Sequence, residues 1–63
     1  MKKEQLIQVL NQYPDSAEVK VTWESIFEDI DVDNIYLAPT GQIIIDADGN
    51  AYKEQIISGE LRV

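Results

Sequence analysis

The side chains able to do chemistry in this chain are almost all carboxylates. Asp46-Ala47-Asp48-Gly49-Asn50 sets oxygen ligands at alternate positions, as the opening of a calcium loop does. The rest of that loop is missing. Its sixth position, which needs glycine for a sharp turn, is Ala51, and its twelfth, which needs a bidentate glutamate, is Ile57. A plain polar turn is therefore expected there. Asp29, Asp31 and Asp33, with Glu28, form a second run. On an extended chain these would share one edge, where they could bridge a divalent ion, form a solvated face, or keep the edge from pairing with another chain. No further ligand cluster accompanies them, so no metal and no cofactor is assigned.

Catalysis has little else to draw on. The chain has no histidine and no cysteine, which removes the commonest general base, the thiol nucleophile, a zinc staple and any disulfide framework. Ser16, Ser25 and Ser58 have no recognisable activating partner, and Gly41, Gly49 and Gly59 do not make a phosphate-binding loop. A domain of 63 residues also has little room for a cleft of about 300 Å³ or more, the usual size for a substrate. The expectation is a protein that binds rather than one that catalyses.

The distribution of charge sharpens this. Twelve acidic and five basic residues give a net charge of −7. Lys2, Lys3 and Lys20 precede residue 21, and Lys53 and Arg62 follow residue 52. Between them lie Glu24, Glu28, Asp29, Asp31, Asp33, Asp46 and Asp48, seven acids with no cation among them. Such a surface repels nucleic-acid backbones and anionic membranes and attracts basic protein surfaces or divalent cations. Trp23, Phe27, Tyr36 and Tyr52 are accordingly read as core and rim rather than as base-stacking platforms. No apolar run approaches the ~20 residues that span a bilayer. Met1 to Gln5 contain no signal-peptide core, and with no cysteine these features point to the cytoplasm.

The elements that must position these residues make one small domain, 1–63. Lys3 to Tyr13 reads as an amphipathic helix, with Leu6, Leu10 and Tyr13 in one stripe widened by Ile7 and Val9, ended by Pro14. Ala17 to Glu24 alternates as a half-buried strand, with Val19, Val21 and Trp23 inward. Ser25 to Glu28 has capping-box spacing and reads as a helical turn or a loop. Ile30 and Val32 then read as strand-like, with a bulge or bend near Asp33-Asn34 bringing Ile35 and Leu37 into phase. Strands over 34–38 and 42–47 should form a hairpin around Pro39-Thr40-Gly41. Ala51 to Ser58 reads as a short helix capped by Asn50 and stopped by Gly59, with a strand as the alternative. The fold class expected is α+β, an N-terminal helix packed on a three-stranded antiparallel meander in two layers, with a short C-terminal helix.

The opening resembles short phage and mobile-element proteins. Lys3-Glu4-Gln5-Leu6-Ile7 through Leu10, then Tyr13-Pro14-Asp15 and Ala17-Glu18-Val19, is similar to their Leu-Ile helix, Pro-Asp turn and Ala-Glu-Val strand. The likeness spans about 19 residues, and the Ile-rich strand after a glycine turn extends it loosely. It implies an accessory or host-modulating role and transfers no functional residue.

Two functional readings follow, beside a third in which one of the acid clusters holds a divalent ion. In the first, Glu24, Glu28, Asp29, Asp31 and Asp33, with Asp46 and Asp48 as a second cluster, present an acidic face to a basic partner. In its sharpest form this is nucleic-acid mimicry, because carboxylates on alternate strand residues lie about 6.6–7 Å apart, near the phosphate spacing of DNA. In the second, the chain is a small structural homo-oligomer, a homodimer above all, since a domain this small with no staple gains core by self-association.

Overall fold

A computed structural model describes residues 1–22 and 29–63. Trp23, Glu24, Ser25, Phe27 and Glu28, with the capping-box spacing read there, lie outside the described residues. The element order is α1 (Lys3–Leu10), β1 (Val19–Val21), a 3₁₀ turn (Val32–Asn34), β2 (Ile35–Leu37), β3 (Ile43–Ile45) and α2 (Lys53–Ser58). The class is α+β, and no described helix is long and apolar enough to cross a membrane.

The sheet is mixed, which corrects the expected meander. Its order is β1-β3-β2, with β1 parallel to β3 and β2 antiparallel to it. A meander would have put β2 in the centre. Ile43-Ile44-Ile45 takes that place instead, a run of three isoleucines that suits a strand covered on both sides, while β2, buried at both Ile35 and Tyr36, lies beside it. Ile43 and Ile44 are both buried. The expected hairpin is present, with Leu37 paired to Ile43 and Ile35 to Ile45. The Ala38 N–H donates to the Gln42 carbonyl at 2.8 Å, and Gly41 turns the chain at φ +96°.

Alternation along the strands divides the core in two. Ile35 and Ile43 face α1 and form a cluster with Val9, bordered by Leu6, Leu10, Tyr13, Ile30 and Ile45. Tyr36 and Ile44 face the other way, with Ala38, Ile56 of α2 and Val63. The two helices therefore cover opposite faces of the sheet, where a single helix on a single face was expected. Val9 is the most buried residue of α1, while Ile7, assigned to the same stripe, is exposed.

β1 also departs from expectation. Val19 and Val21 were read as inward-facing, yet they are 49% and 62% exposed. They share a sheet face with Ile43 and Ile45, but α1 lies over β2 and β3 and leaves the β1 border open. Residues 30–31 are not in a strand, and the phase change at Asp33-Asn34 is made by the 3₁₀ turn rather than by a bulge. α2 starts later than read, with Tyr52 rather than Asn50 at its N-cap, and Gly59 ends it in the left-handed region at φ +85°.

Candidate interaction surface

Asp29, Asp31 and Asp33 are exposed on the segment that runs into the 3₁₀ turn. This segment is irregular but well tied. The Asn34 side-chain oxygen accepts the Asp31 N–H at 2.8 Å, and its amide donates to the Asn50 Oδ1 at 3.1 Å. The Asp33 carbonyl accepts from Asn50 Nδ2 at 3.3 Å and from Lys53 Nζ at 3.0 Å. The Lys53 ammonium also sits 5.3 Å from the centre of the Tyr36 ring. These cross-links hold the backbone of the acidic segment against the turn before α2. Asn50 can serve because it tolerates φ +63°, a left-handed conformation that most side chains resist.

The strand geometry behind the phosphate spacing does not survive. Asp29 and Asp31 lie outside any strand and Asp33 lies in the 3₁₀ turn, so the pitch of alternate strand residues does not apply to them.

Asp46 is corrected outright. It was grouped with the partner-facing acids, but it is 0% exposed. Its Oδ2 accepts the Tyr36 hydroxyl at 2.9 Å, and its Oδ1 accepts a longer bond of 3.4 Å from the Thr22 hydroxyl. Thr22 Oγ1 in turn accepts the Ala47 N–H at 2.7 Å, and the Thr22 N–H donates to the Ile45 carbonyl at 3.0 Å. Thr22, Tyr36 and Asp46 thus tie the ends of all three strands together. A buried carboxylate must be hydrogen-bonded in this way, and it is no longer available to a partner or an ion. The calcium-like run loses its first ligand by the same fact. Asp48 is partly buried in the turn beyond β3, apart from Asp46 in exposure. Glu24 and Glu28 lie outside the described residues. No three acids among the described residues are placed to hold a metal ion.

Burial pushes the Tyr36 phenol well above its ordinary value of 10.0, and Asp46 adds to the shift first as acceptor and then as a negative charge. The sign for stability follows. Above pH ~10 the unfolded phenol ionises while the folded one keeps its proton, so the contribution is full below that pH and is lost as pH rises. Stability should fall there by about 1.4 kcal/mol per pH unit from this group. Thermal midpoints between pH 9 and pH 11 check it. The wild type should show a steeper decline than Tyr36→Phe, and equal slopes would count against the buried phenol.

Sequence reasoning missed Thr22, Tyr36, Asn34, Asn50 and Lys53 as organising residues. In the sequence Asn34 reads as part of a bend, Tyr36 as core or rim and Asn50 as a helix cap, none of them as a hydrogen-bonding partner that orders the acidic residues. Against the expectation that so small a domain lacks room for one, an open cleft of about 490 Å³ lies between Pro14–Glu18 and the hairpin tip, lined by Leu37, Thr40 and Gln42 among others and by none of Asp29, Asp31 and Asp33. Comparison with family models, with curated proteins and with solved structures finds no match for the chain.

Proposed function

We propose that this protein is a non-catalytic binding module that presents the 29–33 segment to a basic surface of a protein partner. The observation that supports it is the trio Asp29, Asp31 and Asp33, all exposed, on a backbone held at Asp31 by Asn34 and at Asp33 by Asn50 and Lys53. A pinned backbone lowers the ordering cost of association, and clustered charge of one sign speeds encounter with its opposite. The reading is the broad one. Nucleic-acid mimicry needs a regular row of charges, and the irregular backbone at 29–33 gives it no support.

The test pairs wild type with Asp29→Lys/Asp31→Lys/Asp33→Lys as baits in the native host. A partner should be captured by the wild type, lost by the reversed bait, and bound with an on-rate that falls as salt rises. A partner held equally by both baits would sink the proposal.

A further inference from the structure

We propose that β1 is a self-pairing edge, and that two copies of this chain join there antiparallel about a two-fold axis at Val19. This is independent of the acidic segment.

β1 lies at the border of the sheet. The Ile43 N–H donates to the Glu18 carbonyl at 2.8 Å and the Thr22 N–H to the Ile45 carbonyl at 3.0 Å. In a parallel ladder the alternate residues 18, 20 and 22 therefore turn their backbone groups to β3, and Val19 and Val21 turn theirs outward. Both valines are exposed, and among the described residues no strand pairs with this side of β1, so an open backbone edge coincides with uncovered β-branched side chains. Such an edge is a template for another strand.

Charge selects the occupant and the register. Glu18 and Lys20 lie on one face of β1, opposite Val19 and Val21, and both are exposed. An antiparallel pair centred on Lys20 would set lysine against lysine. Centred on Val21, it would set Lys20 against Thr22. Centred on Val19, it sets Glu18 of each copy against Lys20 of the other, twice by symmetry, and Val19 against Val19 in a reciprocal backbone pair. Val21 then lies across from Ala17. Glu18-Val19-Lys20 is thus complementary to itself, and a second copy is the partner it fits. The result is one six-stranded sheet with the order β2-β3-β1-β1-β3-β2. A contact over so short a strand buries less than the ~1,000 Å² of a tight complex, so the dimer is weak and concentration-dependent.

Sedimentation equilibrium up to millimolar protein in ~0.15 M salt, where the repulsion between two acidic chains is screened, tests this. Wild type should associate reversibly, and the Val19 and Val21 amides should gain hydrogen-exchange protection with concentration. Glu18→Lys and Lys20→Glu each convert two attractive pairs into repulsive ones and should raise the dissociation constant about tenfold. Mixing the two variants restores opposite charges at both positions and should restore wild-type association. Circular dichroism confirms that each exposed-site variant folds. A wild type that stays monomeric throughout, variants that associate as the wild type does, or a mixture that fails to recover would each overturn the proposal.

Discussion

Tyr36→Phe is expected to destabilise the protein by about 2–3 kcal/mol, the cost of removing a hydrogen bond from a buried charged acceptor. The substitution changes no apolar volume to speak of, so the effect is polar in origin. It leaves Asp46, fully withdrawn from solvent, with only the longer Thr22 bond to its carboxylate among the described residues. A chain of this length has about 3–9 kcal/mol of total stability at 0.05–0.15 kcal/mol per residue, so the variant should unfold readily in mild urea. The pair Tyr36→Phe/Asp46→Leu removes both partners at once and should cost less than the sum of the single changes. Urea melts of the four proteins give the coupling directly. A Tyr36→Phe protein as stable as wild type would show that the phenol is not the carboxylate's principal partner.

Ile44→Ala is the second large effect. Ile44 is 1% exposed at the centre of the middle strand and packs with Ile56 beneath α2. Truncation of a fully buried isoleucine costs about 2–5 kcal/mol, most where neighbours cannot collapse into the space. Held between β1 and β2, the strand has little freedom to move in. Val21→Ala is the control, because its exposed side chain should be worth less than about 0.5 kcal/mol. If Ile44→Ala melts within 1 kcal/mol of wild type, α2 does not cover that face as described.

These two sites mark where sequence reasoning succeeded and where it stopped. The Ile43–Ile45 run and the Pro39-Thr40-Gly41 turn announced a hairpin, because turn chemistry and β-branched residues are local signals. α1 was legible for the same reason. The parallel pairing of β1 with β3 was not, since it joins residues far apart in the chain and follows from which strand needs most cover, a global property. The continuous Ile run suits the middle, but Ile35-Tyr36-Leu37 is apolar on both faces too and lies at the edge, so residue type does not rank the two strands. The acidic segment was legible as composition, and Asp29, Asp31 and Asp33 are indeed exposed. Asp46 was not separable from them by type. What distinguishes it is a tyrosine ten positions earlier and a threonine twenty-four positions earlier, neither of which has a spacing rule.

The placement of β3 also dictates an order of events in time. β2 and β3 meet through a tight turn, and a hairpin of this kind forms on the scale of microseconds. β1 must find β3 across a long intervening stretch that includes β2 itself, and it pays the larger loop-closure entropy. The hairpin therefore forms first, and β1 adds to an edge already built. Reversal along the same path releases β1 before the hairpin parts. That exposes the flank of an all-isoleucine strand, which is a template for pairing with another chain.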